Sequence, residues 1–195
     1  MYARESLNKF LNDLGSESST PGGGSAAALA GALTASVVAF IANLTIGKKK
    51  YKDVEEEAEE ILEEALQLKE GFLQMIDEDS DLLKKILAGY RQGDQNEISQ
   101  VCKQAVVFSL KMTEECFRLL GLALHISIIG NRMLTSDFEV AAYLGEAAVN
   151  SAIANVKINL GSIKDEEFVN RVREQYQFLA EKAARIKEEI VEIAS

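Results

Sequence analysis

Four acidic residues, Asp77, Glu78, Asp79 and Asp81, crowd one stretch of the chain, and helical periodicity singles out one of them. The apolar stripe there is Ala58, Ile61, Ala65, Leu68, Phe72, Met75, Ile76, Leu83, Ile86 and Tyr90, which at about 100° per residue forms one helical face. With Phe72 at 0°, Asp79 falls at about 340°, inside the stripe, while Asp77, Glu78 and Asp81 fall between about 140° and 240°, on the polar side. A carboxylate turned inward needs a partner, a raised pKa or a catalytic reason to be there. A structural ion pair, or a cap on a neighbouring helix, meets the same need.

Two amides pose a similar question. Asn155 and Asn159 lie among Leu144, Ala148, Ala152, Val156 and Leu160, nearly opposite Glu139, Glu146, Asn150 and Lys157. Buried amides require partners, and a heterocycle with amide-like edges or a neighbouring backbone can supply them. Upstream, Thr20-Pro21-Gly22-Gly23-Gly24-Ser25 runs three glycines into a helix N-terminus. Such a segment exposes backbone N–H groups and lets a ligand approach closely, or it is a plain flexible turn. It is not a P-loop: Gly47-Lys48 comes at a helix end, and Ala42 stands where that motif requires its first glycine.

The elements that must position these residues are helices. Pro21 is the only proline, so almost nothing interrupts the long Ala-, Leu-, Glu- and Lys-rich segments. Breaks at Gly15 to Gly24, Gly47, Gly93-Asp94, Gly130-Asn131 and Gly161-Ser162 leave six helices. They run over 3–14, 25–46, 52–91, 95–129, 137–160 and 165–194, an all-α, up-and-down bundle forming one domain over 1–195. The second helix carries no charge from Ser25 to Gly47 and is followed by Lys48-Lys49-Lys50, the outline of a membrane span. Its many alanines instead predict a buried central helix, so no membrane partner is expected. Ser136 and Glu139 have capping-box spacing, which places Asp137 at a helix N-terminus, where the dipole favours a carboxylate.

Composition narrows the function. A formal net charge of -10 argues against nucleic acid as a partner. Cys102 and Cys116 stand 14 residues apart on one helix, about 21 Å, too far to bridge. Without a cysteine framework or a signal sequence ahead of Met1 to Glu5, a reducing cytoplasm is expected. His125 is the only histidine, and no Cys/His pair has ligand spacing, so no metal site is expected.

Taken in order, Thr20-Pro-Gly-Gly-Gly-Ser-Ala-Ala-Ala28, Leu44-Thr-Ile-Gly-Lys-Lys-Lys-Tyr51, Asp77-Glu-Asp79, Gly130-Asn131, Ser136-Asp-Phe-Glu-Val-Ala-Ala142 and Asn155-Val-Lys-Ile-Asn-Leu160 with Asp165 resemble the formimidoyltetrahydrofolate cyclodeaminase/methenyltetrahydrofolate cyclohydrolase family over nearly the whole chain. The chain departs from that pattern at Leu82-Leu83, Gln92-Gly93 and Ser109. The resemblance implies an all-helical homodimer that closes 5-formimidoyltetrahydrofolate to 5,10-methenyltetrahydrofolate with loss of ammonia, using no cofactor. A cyclohydrolase acting on the methenyl compound, or a non-catalytic folate-binding or scaffolding dimer, is the alternative. It further implies Asp79 as the catalytic acid/base. Pro21, Gly22, Gly23, Gly24, Ser25, Asp137, Asn155 and Asn159 would bind the substrate, with Lys48 and Lys49 at its glutamate tail unless that run is simply a solvated helix end. The last helix, with Phe168, Val172, Tyr176, Leu179, Ala183, Ile186 and Ile190 at helical spacing, is expected to bury that face within or between subunits.

Overall fold

The computed structural model describes residues 1–93 and 95–195. Six α-helices follow one another: α1 (Leu7–Leu14), α2 (Gly23–Asn43), α3 (Glu55–Gln92), α4 (Gln95–Ile129), α5 (Thr135–Leu160) and α6 (Glu166–Ala194). Short 3-10 turns at Tyr2–Arg4, Lys49–Val54 and Arg132–Leu134 complete the described elements. The all-α expectation and the six segments hold, with shifts of a few residues at their ends. The break expected at Gly93-Asp94 is met at Gly93, whose φ of 76° ends α3 in the left-handed region; Asp94 lies outside the described residues.

Side-chain contacts give the directions. Gly31 faces Phe72 and Gly24 faces Asp79, so α2 and α3 are antiparallel. Arg118 meets Glu64 and His125 meets Glu57, which sets α4 antiparallel to α3, while Gly145 near Thr34 and Gly23 near Asn155 set α5 antiparallel to α2. The chain therefore runs up and down, with α2 packed against α3, α4 and α5. Small residues make this closeness possible. A Cβ on Gly31 would come within 2.8 Å of the Phe72 ring, so only glycine lets α2 and α3 approach so far.

Among the described residues α2 is the one helix long and apolar enough to cross a bilayer, and 61% of its most apolar window is buried inside the bundle. Its role as a central helix follows from that burial. One stripe of α2 stays exposed at Leu33, Ser36 and Phe40, and α5, packed against α2, exposes Val140, Tyr143, Ala147 and Ala154. This face carries no charged side chain along α2.

Two expectations are corrected and one alternative is decided. Ser136 is not an N-cap: α5 starts at Thr135 directly from a 3-10 turn, and the cap belongs to Asn131, whose side chain accepts from the Met133 N–H at 3.1 Å. Asp77 is not on a solvated face, because the N-terminal turn covers it and the Tyr2 N–H donates to its carboxylate. The apolar face of α6 is used within the chain, where Val172, Tyr176, Leu179, Ala183 and Ile190 are buried.

Candidate active site

The segment read as a glycine loop is mostly the first turn of α2. Gly22 is its N-cap and has no side chain to satisfy the helix's free N–H groups. Asp79 of α3 lies against this first turn. Its Oδ2 accepts from Ser25 Oγ at 2.9 Å, and the Ser25 backbone N–H adds to the hold. Ser25 is buried, with Oγ also 3.1 Å from the Ile76 carbonyl and 3.3 Å from Ser80 Oγ. One hydroxyl proton cannot serve every acceptor around it, so bond formation to Asp79 competes with bond formation to Ile76.

Asp79 is half-buried, and the burial raises its pKa above the ordinary carboxylate value, while the two bonds from Ser25 pull it partly back. Gly24 fits beneath it because a Cβ there would overlap the carboxyl group. A Cβ on Gly23 would meet only Asn155 Oδ1, at 3.9 Å, ordinary contact.

Asp79 opens into a cavity of about 360 Å³ lined by Gly22, Gly23, Gly24, Asn155, Asn159 and Ser109 among its polar surfaces and by Leu82, Leu83, Ile86, Phe108 and Ile158 among its apolar ones. This is the size and mixture of a small-molecule site. Asn155 Nδ2 donates to the Ser151 carbonyl at 2.9 Å and Asn159 Nδ2 to the Asn155 carbonyl at 2.8 Å. Backbone partners thus take one N–H of each amide, and the remaining N–H and the oxygen stay open to a ligand with amide-like edges. Tyr90 Oη lies 2.9 Å from Ser162 Oγ and closes the far end, where α3 reaches the turn after α5.

The structure therefore brings together Asp79, Gly22, Gly23, Gly24, Asn155 and Asn159. Pro21 is buried just ahead of the first turn, and Ser25 stands behind Asp79 instead of facing the cavity. Lys48 and Lys49 lie past the other end of α2, about 30 Å along its 21 residues, and Asp137 is about 27 Å from Asn155 along α5. Within the single chain these three do not reach the cavity. Their surroundings are structural: Asn131 Nδ2 donates to the Leu44 carbonyl, the Asn131 N–H donates to Thr45 Oγ1, and the Arg132 N–H donates to Tyr51 Oη, tying the ends of α2 and α4.

Ser109, Phe108, Ser162 and Tyr90 reach the cavity without having been singled out for it. Tyr90 had a signal, since it closes a stripe that stops being core after Asp79: Leu83 and Ile86 are half-buried and Tyr90 is exposed because they line a space. Leu82, Leu83 and Ser109, all departures from the family-like pattern, stand together on the cavity wall.

Two outcomes follow. Gly24→Ala is expected to displace the Asp79 carboxyl and to lower turnover far more than Gly23→Ala, with helical circular dichroism retained in both; equal effects would separate Gly24 from the site. Because the folded-state pKa of Asp79 is raised, the native state keeps a proton that the unfolded chain releases near 3.8. Its stabilising effect is complete below that value and is lost as pH rises through the folded pKa. The melting temperature of the wild type minus that of Asp79→Asn should accordingly fall across this window and level off above it.

Residues 6–178 match the family model described as formiminotransferase-cyclodeaminase. A methenyltetrahydrofolate cyclohydrolase of Methylorubrum extorquens is 31% identical over 98% of this chain and 97% of its own length. The formimidoyltransferase-cyclodeaminase of Rattus norvegicus is 26% identical over 91% of this chain, which matches only 35% of that longer relative. The crystal structure of formiminotetrahydrofolate cyclodeaminase from Thermotoga maritima superposes with a TM-score of 0.94 at 26% identity, covering 99% of this chain and 97% of that one. The chain belongs to the formiminotransferase-cyclodeaminase family.

Proposed function

We propose that the chain closes 5-formimidoyltetrahydrofolate to 5,10-methenyltetrahydrofolate with release of ammonia. The observation that carries this reading is Asp79, a half-buried carboxyl of raised pKa at the edge of a cavity that also presents two asparagine amides. In this reaction the substrate supplies its own nucleophile. From the protonated formimidoyl group, N10 bonds to the carbon and gives up its proton, the departing NH2 gains that proton, and the C–N bond to it breaks to release NH3 and leave the cationic methenyl bridge. One carboxyl can take the first proton and return it to the leaving amine, provided its pKa lies close to working pH. Burial of Asp79 moves it in that direction. The amides of Asn155 and Asn159 suit the amide-like edge of a pterin, and holding N10 against the carbon is the entropic part of the task. Nucleophile and leaving group both belong to the substrate, so no cofactor is required.

The cyclohydrolase reaction, in which water attacks the methenyl carbon and the N5–carbon bond opens, is favoured by one specific finding. The Methylorubrum extorquens relative bearing that name matches this chain end to end. Assays with both one-carbon folates, read by the methenyl chromophore and by free ammonia, decide between them: ammonia release supports the first reaction, and consumption of the methenyl compound alone supports the second. Turnover of neither would leave a non-catalytic folate-binding dimer.

We further place the protein in the cytoplasm as a homodimer. Two unpaired, buried cysteines suit a reducing compartment, and burial pushes the Cys116 thiol far up, so that it is unreactive. The uncharged, exposed α2 stripe with Leu33 and Phe40 is the surface we assign to the dimer.

Asp79→Asn keeps the shape and an acceptor for Ser25 but cannot exchange a proton, so turnover is expected to drop about 10²–10⁴-fold with folding intact. Asp81→Asn, exposed and paired with Lys84, should change neither. Lost stability with full activity in the folded fraction would make Asp79 a cap alone. Sedimentation at micromolar concentration should give twice the chain mass for the wild type and a monomer for Leu33→Glu with Phe40→Glu; a monomeric wild type rejects the dimer.

A further inference from the structure

A second hollow adjoins the Asp79 cavity. It is a wide groove of about 670 Å³ between α4 and the start of α6, and Leu82 and Phe108 line both spaces. Its floor is apolar, made by those two residues with Val107 and Phe168, and Val107 is 57% exposed on it. Its rim is basic. Lys103 Nζ lies 2.8 Å from Asp165 and 5.3 Å from the Phe168 ring centre, Arg171 lies 5.5 Å from the same ring, and Lys111 stands on α4. Among the described lining residues, three cations against the one carboxylate of Asp165 leave the groove positive on a chain whose formal net charge is -10. An apolar floor with a cationic rim suits a flat ring carrying carboxylates.

We infer that this groove holds the p-aminobenzoyl-glutamate end of the folate, which leaves the Asp79 cavity over Leu82 and Phe108. The assignment rests on the folate reading above. In a tetrahydrofolate the reacting bridge ends at N10, and N10 is bonded directly to the aminobenzoyl ring. With that bridge at Asp79 and the pterin toward Asn155 and Asn159, the ring follows about 5 Å away, and Leu82 lies one helical turn, about 5 Å, beyond Asp79 on α3. The glutamate carboxylates then reach Lys111 and Arg171, both exposed, with Lys103 fixed beside them by Asp165. The groove thus takes the part first assigned to Lys48 and Lys49, which lie at the opposite end of α2.

Titration calorimetry with tetrahydrofolate, and with the matching tetrahydropterin that stops at the aminobenzene ring, tests the assignment on the intact chain. K111E/R171E should raise the Kd for tetrahydrofolate by about tenfold or more while leaving the truncated compound unchanged. K182E/R185E, the same change of charge farther along α6, should alter neither. An unchanged tetrahydrofolate affinity in K111E/R171E, or an equal loss for both compounds, overturns the groove. If tetrahydrofolate binds in this charge-dependent way but neither one-carbon substrate turns over, the reaction proposed above falls and the groove stands. A wild type that binds no tetrahydrofolate overturns both.

Discussion

The contact between Asp79 and the first turn of α2 governs the rest of the site. A helix that begins on glycines has no side chain of its own to satisfy its free N–H groups, and here a carboxyl from a different helix lies against that first turn, accepting from Ser25 Oγ with the Ser25 backbone N–H directed at it. The arrangement places a titratable group against the positive end of α2 and, on its other side, against an apolar cavity. Those surroundings act in opposite directions. The helix end and Ser25 favour the carboxylate, burial favours the acid, and burial is the stronger. Capping a helix and exchanging a proton are therefore compatible tasks for one side chain.

Everything that lets α3 come so close to α2 serves this contact. Gly24 leaves room for the carboxyl, Gly31 leaves room for Phe72 two turns on, and the run of alanines continues the close packing to the far end of α2. At that end, Thr45, Tyr51 and Asn131 tie α2 to the turn before α5. Since α5 is antiparallel to α2, fixing its beginning there sets the height at which Asn155 and Asn159 arrive opposite Gly23. Two distant sets of residues thus act on one cavity, one by lining it and the other by fixing the register of the helices that do.

Much of this was legible in the sequence, and the unread part has a common physical origin. Periodicity reports direction around a helix, so it separated Asp79 from Glu78 and Asp81 and turned Asn155 and Asn159 inward. It does not report height along the bundle, so it offered no check on the resemblance, which grouped Lys48, Lys49 and Asp137 with residues that lie about 30 Å away within the single chain. Nor does it see a neighbour's backbone. Asp77 reads as solvated until the N-terminal turn folds over it, and Ser136 reads as a cap until the turn capped by Asn131 starts the helix early. The basic groove was hidden for the same reason, because Lys103, Lys111 and Arg171 come from two helices that only the fold sets side by side.

The central claim is that Asp79 holds its proton to a higher pH than an ordinary carboxyl while capping α2. It is tested most directly by following the side-chain carboxyl carbon of Asp79 by NMR through a pH titration, with Asp79→Asn identifying the signal. A midpoint clearly above the ordinary value of about 3.9 is expected. A midpoint at or below that value would mean that the helix end outweighs burial, leaving Asp79 a permanently charged cap that cannot carry a proton between N10 and the leaving amine.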